Sequence, residues 1–174
     1  MEFMSILTNL SAEYPAFLDF IFLAFAVIGI MISASAVIAI IKLGDKNNGL
    51  VTPGSHILWK LFAGPSLVNL ALLARAWGGT LWANSDPLDI GQYSGSGTGW
   101  DAAVMAAVGI MVLAGYITLG RAYMMMSKLG TVSIDARGDL MGSIFARIIA
   151  GSALIFTIHI AQAIEASSGF GFFS

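Results

Sequence analysis

The chain has 174 residues, of which 57% are hydrophobic and 10% are charged, whereas a soluble domain carries about 25% charged residues. So few polar side chains cannot cover a chain of this length with a hydrophilic surface, which argues against a soluble enzyme and predicts that lipid surrounds most of the protein. The absence of cysteine excludes disulfides and thiolate metal sites, and the net charge of −2 excludes a broad basic surface for nucleic acid.

Four apolar segments are long enough to cross a bilayer as helices, which takes roughly 20 residues each. Lys60 and Arg75 in the second segment and Arg147 in the fourth are expected to reach the headgroups from near the helix ends. Pro65 is predicted to kink the second segment without ending it. The fold class is therefore all-α, a polytopic membrane protein whose four transmembrane helices lie at about 18–43, 57–82, 102–126 and 144–165.

The charged residues predict the orientation of these spans. Seven of the eight basic residues lie in or beside the two loops that follow the first and third spans, whereas the N-terminal arm, the central loop and the tail carry acids. Since basic loops remain in the cytoplasm, both termini and the central loop are predicted to face outward. The N-terminus lacks the basic start and the short apolar run of a secretory signal peptide, so the first helix is expected to be retained.

Two sequence matches predict an internal duplication. The residues around Gly29 resemble those around Gly109, 80 positions later. The five residues that end at Gly64 and those that end at Gly151, 87 positions later, share a pattern of one basic residue, two apolar residues, alanine and glycine. Repeats of this kind indicate one structural unit that occurs twice.

The duplication predicts two tandem helical hairpins in the same orientation, residues 1–83 and 102–174, joined by an outward Gly/Ser-rich loop at 84–101. Similar faces on the two hairpins suit packing against further copies of the chain or against paralogous subunits. Small residues let membrane helices approach closely, although they are also common in membrane helices without such a role, and the sequence leaves both interpretations open. The predicted packing residues are Gly29, Gly64, Gly109, Gly142, Ala146, Ala150 and Gly151.

Few polar residues suggest chemistry within the membrane. His159 fits a proton relay or, more simply, a hydrogen bond between helices. Arg75 is predicted to form an outward ion pair with Asp19 and Asp101, with a lipid phosphate as the alternative partner. Two histidines at opposite membrane levels predict no metal site. The basic loops either hold anionic lipid headgroups or only fix the topology, and the headgroup candidates are Lys46, Lys60, Lys128, Arg137 and Arg147.

The whole chain resembles the TraQ family of I-type conjugation systems, which is related to the IcmC/DotE membrane subunits of type IVB secretion. The resemblance rests on the chain length, the apolar first span, the run Lys-Leu-Gly-Asp at 42–45, and the Ala-Gly pair at 63–64 that opens the second span. It implies a non-enzymatic part in conjugative plasmid DNA transfer, as a component of the apparatus or of the pilus. DNA would meet the protein only through an assembled channel.

Each hairpin is also distantly similar to the two-helix conjugative pilins, which stack into a tube with phospholipid and turn their basic loop toward the lumen. That similarity adds Lys42 to the headgroup or lumen-facing residues. It implies a pilin-like homo-oligomer, exported from the bacterial inner membrane into an extracellular pilus, with phospholipid as its only expected ligand. The presence of two hairpins and the lack of an ordinary leader depart from the pilins. The alternatives are an inner-membrane scaffold of the same apparatus and a small transporter or proton channel that uses His159 and Arg75.

Overall fold

A computed structural model describes residues 2–44, 54–81 and 101–168. In these ranges the chain forms six helices and no strand, so the predicted all-helical class is confirmed for them. Lys46 and residues 84–100 of the predicted outward loop lie outside the described residues. The helices are α1 Glu2–Gly44, α2 Gly54–Val68, α3 Leu70–Leu81, α4 Asp101–Met126, α5 Ile134–Ile155 and α6 Thr157–Ser168.

The described helices provide three or four candidate membrane spans. Glu13–Gly44 of α1, Ala103–Met126 of α4 and the whole of α5 are each long and apolar enough to cross a bilayer. A fourth candidate is the pair formed by α2 and the first part of α3. Large apolar side chains such as Phe20 and Ile149 are exposed along these helices, as expected for a surface that meets lipid rather than water. The protein is consistent with a polytopic helical membrane protein.

The predicted second span consists of two helices that meet at Asn69 with a bend of 88°. The sequence predicts a kink at Pro65, and the bend lies four residues further along the chain. Pro65 lies inside α2, and its carbonyl still accepts the Asn69 N–H at 3.0 Å, which keeps the helix closed up to the bend. The Ser66 hydroxyl donates to the Phe62 carbonyl at 2.7 Å, and such bonds from a hydroxyl to the preceding turn favour bending.

The predicted fourth span is also made of two helices, because α5 and α6 are separated at Phe156. The Phe156 N–H donates to the Ser152 carbonyl at 3.0 Å. The Thr157 hydroxyl donates to the Leu154 carbonyl at 2.7 Å, which again supplies a hydroxyl bond next to the break. Phe156 follows Asn69 by 87 positions, the same offset that relates Gly64 to Gly151 in the sequence.

The chain groups into two compact units, which we call unit 1 and unit 2. Unit 1 contains residues 1–21, 71–117 and 150–174, and unit 2 contains residues 22–70 and 118–149. Each predicted hairpin contributes segments to both units. The division of the chain into two hairpins therefore stays a prediction.

Candidate functional site

In unit 2, α1 and α2 cross at Gly29 and Gly64 with their backbones almost in contact. A Cβ atom placed on Gly29 would lie 2.6 Å from the Gly64 carbonyl oxygen and 2.9 Å from Leu67 Cβ. One placed on Gly64 would overlap the Ser33 hydroxyl and lie 3.0 Å from the Ser33 nitrogen. Neither position has room for a side chain, so the two glycines permit this close approach. The structure thus brings together two of the residues for which the sequence predicts a packing role.

A second glycine crossing lies in unit 1, between α4 and α5. A Cβ atom on Gly115 would lie 2.8 Å from the Gly151 carbonyl oxygen and 2.9 Å from the Ile155 nitrogen. Gly151 belongs to the predicted packing residues, whereas Gly115 does not. Gly109, which the sequence match pairs with Gly29, is buried six residues earlier on α4.

The two crossings align the halves of the chain in a register that differs from the sequence match. Gly64 and Gly151 keep their offset of 87, but their crossing partners Gly29 and Gly115 are 86 positions apart. The match of Gly29 with Gly109 at an offset of 80 rests on aliphatic residues, and apolar helices of similar composition match in several registers. The crossing geometry therefore selects Gly115 as the counterpart of Gly29.

A sequence signal for this register exists, because the tripeptide Lys-Leu-Gly at 42–44 recurs at 128–130 with the offset of 86. The same offset pairs Ala36 with Ala122, and both alanines are fully buried. Burial without any exposed surface is expected at corresponding positions of two similar hairpins. The identical tripeptides would have located Gly115 without the structure.

The two halves of the chain meet within unit 2, at contacts that we call the hairpin junction. A Cβ atom on Gly120 of α4 would overlap the Phe25 ring, and one on Gly130, in the α4–α5 turn, would lie 2.5 Å from the His56 nitrogen. Trp59 of α2 packs against a buried cluster of the second half, formed by Ala122, Leu129 and Ile144. The predicted packing residues include none of these, since bulky partners such as Phe25 and Trp59 do not follow a small-residue pattern.

Three of the predicted packing residues remain exposed. Gly142, Ala146 and Ala150 follow one another at four-residue spacing on α5, and all three are exposed. A Cβ atom on Gly142 would meet nothing within 4 Å. Within the described part of the chain these residues do not lie in a close helix contact, and packing against another chain stays a prediction.

The charged residues separate between the two compact units. Among the described residues, unit 1 has one basic residue, Arg75, together with Glu2, Glu13, Asp19, Asp101 and Glu165. Unit 2 has two acids, Asp135 and Asp139, and six basic residues. The basic and acidic residues whose distribution predicts the membrane orientation therefore belong largely to different units. The basic residues of unit 2 are Lys42, Lys60, Arg121, Lys128, Arg137 and Arg147.

Two of the headgroup candidates make local bonds. The Arg137 Nε donates to the Val132 carbonyl at 3.1 Å, and the Arg147 Nε donates to the Ser143 hydroxyl at 3.4 Å. Each bond uses one of the five guanidinium N–H groups, and a guanidinium fork suits phosphate. Among the other candidates, Lys42 and Lys128 are exposed and Lys60 is half-buried.

The remaining sequence candidates, Arg75, Asp19, Asp101 and His159, all belong to unit 1. Arg75 and Asp19 are exposed in unit 1, to which Asp101 also belongs, and their ion pair stays a prediction. The half-buried His159 ring lies 6.0 Å from the Phe156 ring in an edge-to-face arrangement, which packs the imidazole against an apolar neighbour. Within the described ranges, no group of three or more His, Asp or Glu side chains is arranged to hold a metal ion.

Comparison with models of protein families, with curated proteins and with solved structures found no match to this chain. The family to which it belongs therefore stays a prediction.

Proposed function

We propose that this protein is a non-enzymatic, pilin-like membrane subunit of a conjugative type IV secretion apparatus, which self-assembles together with phospholipid. The observation that carries the structural role is the recurrence of one plan in the two halves, with a glycine crossing and a helix break at corresponding positions in each. Two similar halves of closely packed apolar helices suit a subunit that packs against further copies of itself. The resemblance to conjugation subunits, in the run at 42–45 and the pair at 63–64, supports the assignment to DNA transfer.

In this proposal the chain forms two tandem hairpins with four spans, and the bent pair α2–α3 crosses the membrane as one of them. The alternative is a re-entrant loop, in which α2 and α3 enter and leave on the same side. With an outward N-terminus, that alternative places the α4–α5 turn outside and carries Arg121, Lys128, Arg137 and Arg147 with it. Basic residues next to spans strongly favour the cytoplasmic side, which supports the broken span.

Single cysteines in this cysteine-free chain distinguish the two topologies. In spheroplasts we expect an impermeant maleimide to label Ser168→Cys at the end of α6, and to label Thr131→Cys in the α4–α5 turn only after permeabilisation. Glu13→Cys should be labelled from outside in both cases and serves as the control. Labelling of Thr131→Cys but not Ser168→Cys in intact spheroplasts would show a re-entrant loop.

The basic residues of unit 2 support the lipid part of the proposal. Lys42, Lys60, Lys128, Arg137 and Arg147 belong to this one unit, and Lys46 is proposed to act with them. A basic residue near an anionic membrane surface contributes about 1 kcal/mol to the binding of acidic lipid. Several such residues together suit phospholipid headgroups better than any neutral ligand.

Filaments sheared from bacteria that carry the whole transfer system test the proposed function. Mass spectrometry and electron microscopy should find this polypeptide as the main component of a tubular filament, and lipid extraction of the same filaments should return phospholipid. If filaments lack the polypeptide while inner membranes retain it, the pilin-like role is wrong. The protein would then act as an inner-membrane scaffold of the apparatus.

A further inference from the structure

The hairpin junction in unit 2 joins unlike surfaces of the two halves. The first half contributes Phe25, His56 and Trp59 from α1 and α2, whereas the second half contributes α4 and the α4–α5 turn. If the halves share one plan, each also possesses a copy of the surface that the other uses. These two corresponding surfaces take no part in the hairpin junction.

The α1 face is the unused copy in the first half. At the offset of 86, Leu129 of the buried cluster corresponds to Leu43, and their exposed fractions are 2% and 50%. Tyr123 is 4% exposed and its counterpart Val37 is 51% exposed. A Cβ atom on Gly44, the counterpart of Gly130, would meet nothing within 4 Å. Ala34, Val37, Ile41 and Gly44 follow one another along one side of α1, and Leu43 lies beside Gly44 at the end of the helix. We call these exposed residues the α1 face.

The α5 face is the unused copy in the second half. At the offset of 87, Trp59 corresponds to Ala146, and His56 corresponds to Ser143. Ala146 is exposed, whereas Trp59 is partly buried against the cluster. We define the α5 face as Gly142, Ser143 and Ala146. Its small residues leave room for the backbone of another helix.

We infer that copies of this protein assemble head to tail, with the α1 face of one copy packed against the α5 face of the next. The inference rests on the self-association in the proposed function and identifies the surfaces that carry it. The partner is a second copy rather than lipid alone, because the counterparts of the α1 face pack against protein within the same chain. A dimer joined through one such contact leaves one of each face free, so the assembly continues into a ring or a filament.

Cysteine cross-linking of the membrane-embedded full chain tests this arrangement. A chain with both Leu43→Cys and Ala146→Cys, treated with a short bismaleimide, is expected to give a ladder of dimers, trimers and higher species. When two differently tagged copies each carry one of these substitutions, only the heterodimer should form. The control pair is Phe62→Cys with Ile149→Cys, which are counterparts exposed in both halves and belong to neither face. It should give no ladder.

Two outcomes would overturn the inference while leaving self-association intact. One is the absence of the cysteine ladder in membranes where a lysine-reactive reagent still cross-links the wild-type chain into oligomers. The other is a homodimer formed by Leu43→Cys alone, which would show that like faces meet. If neither reagent yields oligomers, both the inference and the self-association in the proposed function fail.

Discussion

Replacing Gly64 by leucine is expected to lower the free energy of unfolding by about 3 kcal/mol or more, at the upper end of what overpacking costs. The new side chain would overlap the Ser33 hydroxyl and press on backbone atoms of Gly29 and Ser33. Backbone atoms cannot yield by rotating a side chain, so α1 and α2 would have to separate. A leucine at Gly29 would press on the Gly64 backbone from the other helix and should lower the free energy of unfolding by a similar amount.

Gly138→Leu is the matched control for this prediction. A Cβ atom on Gly138 of α5 would meet nothing within 4 Å, so leucine there should raise helix propensity by roughly 0.8 kcal/mol without a steric cost. The measurement is the temperature at which the detergent-solubilised protein loses its native tryptophan fluorescence and its monodisperse elution. Equal stability of Gly64→Leu and Gly138→Leu would show that α1 and α2 do not cross at Gly64.

The sequence locates helices well where an apolar run ends at the membrane surface. The span predicted at 102–126 agrees closely with α4, because its apolar residues are continuous. It does less well at α5, which begins at Ile134 although the apolar run begins at 144. Asp135, Arg137 and Asp139 interrupt the apolar pattern but not the helix, since hydropathy reports contact with lipid and not hydrogen bonding of the backbone.

The break at Asn69 shows a second limit. Proline is the strongest helix-breaking signal in this region, so the sequence predicts the kink of the second span at Pro65. The two helices instead meet at Asn69, one turn later, and the Asn69 N–H still donates to the Pro65 carbonyl. Phe156 breaks the other half at the corresponding position without any proline. The position of the break is thus shared by the two halves, and a single local residue does not determine it.

The sequence predicts small-residue packing surfaces in both halves of the chain, but it does not show which of them another helix covers. Gly142, Ala146 and Ala150 satisfy the small-residue pattern, yet they remain exposed, whereas Gly29 and Gly64 are buried in a crossing. A repeated sequence carries similar patterns in both halves, and only the arrangement of the halves decides which copy is covered. That information is tertiary, so periodicity along one helix cannot supply it.

The two Lys-Leu-Gly tripeptides test which copy of the repeated pattern is covered. Valine at the glycine of one tripeptide should reduce folding stability, whereas valine at the glycine of the other should reduce association between copies. Gly130→Val is expected to cost about 3 kcal/mol of folding stability, since its Cβ would overlap His56 and lie 2.5 Å from the His56 nitrogen. Gly44→Val should leave the stability of the single chain nearly unchanged, because that Cβ meets nothing within 4 Å. In the assembly, however, Gly44 lies on the α1 face, where valine would hold the next copy away.

We expect Gly44→Val to weaken association at least about tenfold, which corresponds to about 1.4 kcal/mol. Thermal stability of the solubilised chain measures the first effect, and the ladder formed by Leu43→Cys with Ala146→Cys measures the second. If Gly44→Val destabilises the chain as much as Gly130→Val does, the two tripeptides share one environment and the α1 face is not free. If Gly44→Val leaves the ladder intact, copies meet through another surface. A stable chain that no longer forms the ladder is the result that head-to-tail packing through the α1 face predicts, since the Gly44 Cβ meets nothing within 4 Å among the described residues of its own chain.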